Sequence, residues 1–456
     1  MRRALCSLSA LLILALSLLI AGNAALSGRA AAFSAETEPL SGSPSAAEGL
    51  TLSLSASLAS QLYWGADYSV GSGGFDTRFS YGEAIDCRDD SSGRSVYGVE
   101  FGSGTFFSGS LSDNDAIDAI FSGLAERALA AGAGRYEDYS ETIYLADYFD
   151  YYPVDVHAIP SSEREGFAEF FRVPVLPGDS IDVSVSGVTP GGGASSRGMS
   201  SNDNTVYLAL QSVETGTADY LAFDSSNPLA DFDFSHIPGG FGIYRLPHDL
   251  DTGLPVSAGL ECVYPLDPSQ LYSVYLHSTN DGKLLLAAVQ TLSGDIELYV
   301  FDAASPGEPL QVLPLFSSAG DSYLSVHFYD GFLVYICDEV LVLEYDGSAL
   351  SPALRAPYPW EQSQDGEALF YYGSESSFAW DGRRLAIAWL DVDYLYSDDH
   401  LSRRDSLSLR VCVLDSSGVL YDGLLSPDLL ANNRGAAGVS DIYNCACSLS
   451  FGEVGI

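Results

Sequence analysis

Three Asp-Gly dipeptides, Asp281-Gly282, Asp330-Gly331 and Asp381-Gly382, stand 49 and 51 residues apart. Each opens a short apolar run: Lys283–Gln290, Phe332–Cys337 and Arg383–Leu390. A second run follows each, Ile296–Phe301, Val340–Tyr345 and Ser406–Leu414, ending at Asp302, Asp346 and Asp415. In Ser406–Leu414 the alternation is regular, with Leu407, Leu409, Val411 and Val413 on one face. Such runs read as strands. Asp-Gly between two strands closes a hairpin, because glycine tolerates the positive φ of a tight turn. A fainter copy begins at Asp203-Asn204 and ends at Asp224, repeating the 21-residue interval from Asp281 to Asp302. A chain that repeats a hairpin unit about every 50 residues buries each unit against its neighbours.

Four short strands recurring at that period make a β-propeller blade. The fold class expected is therefore mainly all-β. It is a β-propeller of about six to seven blades over residues 135–456, with a small N-terminal α+β decoration. The sequence resembles β-propellers as a class, in particular degenerate exported propeller-type proteins of bacteria. It departs from the familiar signatures: there is no Gly-His…Trp-Asp pair and no kelch Gly-Gly pair. A β-sandwich or a tandem of small all-β domains is the competing architecture. Residues 51–134 fit no blade and read as an N-terminal subdomain or a decorated first blade. They hold one helix, Asn114–Ala131, with Ile117, Ile120, Phe121, Leu124 and Leu129 broadly on one face. Ser112 with Asp115 forms a candidate capping box. Because the chain ends soon after the last strand, the final blade is expected to borrow an N-terminal strand.

The N-terminus carries Arg2 and Arg3, an apolar run Ala4–Ala21, and small residues at Gly22–Ala25 and Ala30–Ala32. That is the pattern of a secretory signal over residues 1–25, the alternative being an uncleaved membrane anchor. Residues 26–50, rich in Ala, Ser, Gly and Pro, read as a flexible spacer. The location implied is secreted or extracytoplasmic, with membrane contact only through the N-terminal segment where it is retained. Seven cysteines are present, six of them after the signal. Cys337 and Cys412 lie inside apolar strands, where a cysteine is a small core residue rather than a ligand or redox group.

Charge excludes one class of partner. With 20 Lys+Arg against 61 Asp+Glu, the formal net charge is −41. No basic patch exists to neutralise phosphates, so nucleic acid is not a partner.

Catalytic signals are sparse. Phe171-Arg172-Val173-Pro174 resembles the Phe-Arg-Ile-Pro segment of sialidases, a six-bladed propeller family. The resemblance implies that Arg172 binds a substrate carboxylate. The family's repeated Ser-x-Asp-x-Gly-x-x-Trp boxes are not intact here. Asp249-x-Asp251-x-Gly253 opens like a calcium loop, but Pro255 interrupts the pattern and an acidic hairpin tip is the favoured reading. The insertion Asp391–Asp405 offers oxygens from Asp391, Asp393, Asp398 and Asp399 to a Ca²⁺ ion, or a partner contact through Tyr394, Tyr396 and His400. Its acids otherwise pair with Arg403 and Arg404. No other cofactor is implied. Tyr136–Tyr152 carries six tyrosines and five acids, suited to stacking on a sugar or gripping a partner where exposed. His277 and His327 both precede Asp-Gly turns and read as equivalent blade positions. The sequence thus points to a binding or scaffold module for a protein or glycan at the cell envelope. The alternative is a carbohydrate-active propeller enzyme, sialidase- or glycosidase-like.

Overall fold

The computed structural model describes residues 2–456 except 60–61, 83–84, 86–97, 103–114, 133–136, 153, 157–160, 190–192, 226, 318–323, 338, 360–375, 398–399, 432–444 and 453–456. Helix α1 (Arg2–Ala30) leads into strands β1 (Ala35–Gly42), β2 (Leu50–Ala59), β3 (Leu62–Ser69) and β4 (Gly74–Tyr81). Next come β5 (Gly98–Gly102), α2 (Asp115–Ala130), β6 (Tyr139–Tyr144), β7 (Val154–Val156), α3 (Arg164–Phe170), β8 (Ser180–Ser186) and β9 (Ser196–Ser201). The chain then turns almost wholly to strand: β10 (Tyr207–Glu214), β11 (Asp219–Ser225), β12 (Gly242–Leu246), β13 (Glu261–Pro265), β14 (Leu271–Ser278), β15 (Leu284–Thr291), β16 (Ile296–Asp302) and β17 (Gln311–Phe316). It continues through β18 (Ser325–Tyr329), β19 (Phe332–Ile336), β20 (Glu339–Tyr345), β21 (Leu350–Pro357), β22 (Ser377–Trp380), β23 (Leu385–Ser397), β24 (His400–Asp415) and β25 (Gly418–Pro427). The one-turn helix α4 (Asp428–Ala431) precedes β26 (Cys445–Phe451).

Among the described residues these strands make six antiparallel sheets. The fold is mainly β and propeller-type, and six sheets fall within the expected six to seven. The three Asp-Gly repeats form consecutive four-stranded meanders, β14–β17, β18–β21 and β22–β25. Each has its Asp-Gly turn between the first and second strand, where Gly282, Gly331 and Gly382 take φ of 65°, 83° and 86°. The aspartate holds the turn: Asp381 Oδ1 accepts from the Arg383 and Arg384 amides at 3.0 and 2.6 Å.

The fainter copy is shifted by one strand from the sequence reading. β10–β13 form the meander, with β5 and β7 added on the free edge of β10. The β10–β11 tip meets the β14–β15 tip, Gly216 N donating to Gly282 O at 3.1 Å. Thr215-Gly216 therefore stands where Asp281-Gly282 stands, and Asp203-Asn204 lies before the first strand. Acid spacing suggested one phase; strand pairing decides another.

The chain divides into two compact units, residues 1–92 with 323–345 and 350–456, and residues 93–322 with 346–349. In the first, the N-terminal strands do not stand apart. β2, β3 and β4 complete a four-stranded sheet with β26, in the order β26-β2-β3-β4. β1 adds as a fifth strand on β25, from Ala35 opposite Pro427 to Gly42 opposite Tyr421. Residues 35–42, expected to be flexible spacer, are thus ordered by backbone pairing, which does not depend on apolar side chains. Arg384 ties these terminal segments together. It pairs with Asp381 at 2.7 Å, donates to Ala46 O at 2.6 Å and Glu48 O at 3.3 Å, and covers the Phe451 ring at 4.8 Å.

In the second unit α2 covers the sheet β6-β8-β9. Its Ile117, Ile120, Phe121 and Leu124 share one core with Ile181, Val183 and Val185 of β8. Arg197 reaches back to Asp118 at 2.6 Å and lies over Phe121. The capping residue expected for this helix, Ser112, lies outside the described residues. Strands whose residues are almost all buried, such as β15 and β19, are the unbroken apolar runs of the sequence. Cys337 and Cys412 are buried, and Cys262 is a half-buried thiol. Burial pushes the Cys412 thiol well above its usual range.

Candidate binding surface

Two separate sequence features meet in the second unit. The first is the tyrosine-rich segment. β6 alternates, burying Ile143 and turning Tyr144 outward. A single 3₁₀ turn follows at Leu145–Asp147. Tyr144, Tyr148 and Tyr151 stay 49%, 42% and 38% exposed, whereas Tyr152 is buried and accepts the Leu176 amide at 3.3 Å. Burial is the main cause of the raised Tyr152 phenol pKa. Tyr139 donates to Glu141, whose carboxylate also takes Arg127 of α2 at 2.9 Å, so the segment is fastened to the helix. Tyr136 lies outside the described residues.

The second feature is Arg172. It follows α3 rather than ending a strand, and it stands between buried Phe171 and Val173. Phe171 is wedged among Phe170, Phe223 and Tyr244 at centroid distances of 4.7 to 5.8 Å. The backbone beyond it pairs with the tyrosine segment. Tyr152 N donates to Val173 O at 2.9 Å, and Tyr151 bridges Pro174. This pairing sets the Arg172 guanidinium 5.8 Å from the centre of the Tyr151 ring, with Glu169 3.1 Å from the guanidinium. His236 meets the same ring edge-on at 6.0 Å and has Asp233 at 3.8 Å. The result is an exposed tyrosine ring close to a cation and an imidazole, in a segment whose next residue, Tyr152, packs in the buried core. Such a ring stacks on a sugar face or an apolar side chain without ordering a loop first.

The other predicted positions lie on different elements, Asp249 and Asp251 between β12 and β13 and the insertion in β23 and β24. Asp249 Oδ1 is occupied by its own turn. It accepts the Asp251 and Thr252 amides at 3.1 and 2.8 Å and the Thr252 hydroxyl at 2.9 Å. These bonds hold its carboxyl below the usual range, which suits a hairpin tip. Of the Asp391–Asp405 insertion, Asp398 and Asp399 lie outside the described residues. For Asp391, Asp393, Tyr394, Tyr396 and His400 the backbone is described. It is no irregular loop: β23 and β24 continue as one hairpin, from Asp391 opposite Ser408 to Ser397 opposite His400, with a bulge between Val392 and Tyr394. Among the described residues no group of three or more His, Cys, Asp or Glu is placed to hold a metal.

One ionisable pair was not foreseen. His248 Nε2 lies 3.0 Å from Asp219 Oδ2, with the aspartate side chain almost wholly buried. Burial pushes the Asp219 carboxyl up to about 6, and His248 pulls the other way. The two are 29 positions apart in sequence, and only the pairing of Asp219 opposite Leu246 brings them together. The sole hint was an acid at the mouth of an apolar strand. His277 and His327 both lie near the ends of first strands, as expected, and burial lowers both to about 4. His327 also shares a 2.9 Å hydrogen bond with Ser325.

No known protein family matches the chain, and no curated protein matches it. Solved structures similar to it include a putative 6-phosphogluconolactonase from Bacteroides fragilis, at 11% identity and TM-score 0.23, covering 82% of this chain and 92% of that one. The periplasmic gluconolactonase of Pseudomonas aeruginosa is similar at 14% identity and TM-score 0.23, over 63% of this chain and 96% of that one. The WD40 domain of Toxoplasma gondii coronin is similar at 9% identity and TM-score 0.21, over 55% and 66%. Superposition at that level carries no functional assignment; the meander sheets themselves carry the fold.

Proposed function

We propose that this chain is an exported β-propeller binding or scaffold module of the cell envelope, taking a glycan or protein ligand on the Tyr151–Arg172–His236 surface. The observation that carries the reading is the exposed Tyr151 ring, with the Arg172 guanidinium 5.8 Å and the His236 ring 6.0 Å from its centre. Export is supported by the Arg2-Arg3 start and by Ser9–Ala30, a helical stretch long and apolar enough to cross a membrane. Glu169 already balances Arg172, and the net charge of −41 repels anions. Neutral glycans and neutral or basic protein surfaces therefore suit the site better than acidic ones. The test is an array of neutral and sialylated glycans, with a panel of envelope proteins, probed with the wild type and Tyr151→Ala. Loss of at least about tenfold in affinity at unchanged melting temperature supports the reading. Equal binding by both proteins refutes it. The second reading, a carbohydrate-active enzyme, draws on the half-exposed Arg172 guanidinium. Turnover of aryl-glycosides or sialosides that disappears in Arg172→Ala establishes it instead.

A further inference from the structure

The apolar helix α1 does not end where its contacts with the protein body begin. Leu11 to Ile20 are exposed, yet Leu26 packs on the core of the first unit and Ala30 is buried in it. Ala30 O accepts the Thr77 hydroxyl at 2.6 Å. Arg29 lies over Trp64 at 6.0 Å, and Phe33 meets the same indole edge-on at 5.1 Å. Ser34 then donates to Asp428 at 2.6 Å and returns its carbonyl to the Asp428 amide at 2.9 Å, just before β1 pairs with β25. Residues 26–34 thus form a lid over Trp64, a fully buried side chain.

Small-x-small triplets open to an export peptidase include Gly22-Asn23-Ala24, Gly28-Arg29-Ala30 and Ala30-Ala31-Ala32. Cutting after the second or third removes Leu26 and Arg29 from the folded body. Cutting after the first removes only the exposed part of the helix. We propose that export processing hydrolyses the Ala24–Ala25 peptide bond and that the mature protein keeps Leu26–Phe33 as the lid on Trp64. Water adds across that amide, leaving a carboxylate on Ala24 and a free amine on Ala25. The proposal rests on the export reading above, and its test separates the two.

The full chain is expressed in an exporting bacterial host, and the N-terminus of the product is read by intact mass and by its compartment. A chain starting at Ala25 is expected. A start at Ala31 or Phe33 overturns the proposal while leaving export standing. Intact Met1 at the cell surface also overturns it and leaves an anchored, exported protein. Intact Met1 in the cytoplasm sinks both readings. A second measurement compares purified chains beginning at Ala25 and at Ala31. The shorter is expected to melt about 3–6 °C lower, with red-shifted tryptophan emission. Identical melting and emission show that the lid contributes nothing and overturn the retained-lid part.

Discussion

Replacing Arg384 with alanine should loosen both chain ends of the first unit at once. The side chain is 18% exposed. It makes two hydrogen bonds to carbonyls, one ion pair and one cation–π contact. A charge-assisted hydrogen bond contributes roughly 1.5–3 kcal/mol, and a partly shielded cation–π contact about 1 kcal/mol. Glu48 is exposed, so its carbonyl recovers water and part of that loss is returned. The expected cost of Arg384→Ala is about 2–3 kcal/mol. Lysine keeps the charge but cannot span two carbonyls and a carboxylate with one ammonium, so Arg384→Lys should retain less than half of the stability. Urea unfolding followed by tryptophan emission is the assay. Trp64, Trp360, Trp380 and Trp389 all fall in the first unit, so the signal reports on that unit. The midpoint should fall with the m-value unchanged. A loss below about 0.5 kcal/mol in the alanine variant would refute the clasp.

Three further outcomes follow from the same geometry. His327 has its folded pKa lowered to about 4 by burial, so the folded state binds its proton more weakly than the unfolded chain. Stability of the first unit should therefore fall as pH drops from about 6.5 toward 4, by roughly 2 kcal/mol between pH 7 and 5, and His327→Phe should flatten that dependence in pH-stepped urea titrations. An unaltered pH profile in the variant counts against the assignment. Gly282→Ala should destabilise far more than Gly331→Ala: both glycines have positive φ, but a Cβ at 282 would lie 2.2 Å from Gly216 N, while one at 331 meets nothing within 4 Å. Equal melting temperatures for the two variants would contradict the tip-to-tip contact. Removing Val392–Arg404 should leave the fold intact, because the rungs from Leu385 opposite Leu414 to Asp391 opposite Ser408 remain; calcium that raises the melting temperature of the full chain but not of this variant would assign a Ca²⁺ role to the hairpin.

Much was legible in the sequence because it is written in local periods. The Asp-Gly turns at 281, 330 and 381 specify a backbone that glycine alone takes cheaply, and the apolar runs beside them admit little but buried strand. α2 announced itself through Ile117, Ile120, Phe121 and Leu124 at helical spacing, and all four are buried. Residues 35–42 were misread because a strand held by backbone pairing leaves no apolar signature. The phase of the fourth repeat was misread because an acidic residue marks a turn without saying which strands the turn joins.

The candidate surface divides the same way. The sequence alone determined that Arg172 and a tyrosine-rich stretch exist, and that the chain carries a net charge of −41. Which tyrosines face outward, and that Tyr151 lies against Arg172 and His236, required the segment after Phe171 to pair with Tyr151-Tyr152. The Asp219–His248 contact likewise required β11 to pair with β12. Those pairings join residues tens of positions apart, and their register is set by the packing of Phe171, Phe223 and Tyr244 in a common core. Local sequence carries the propensity of each strand. Only the three-dimensional packing decides which strand is its neighbour, and so which side chains share a surface.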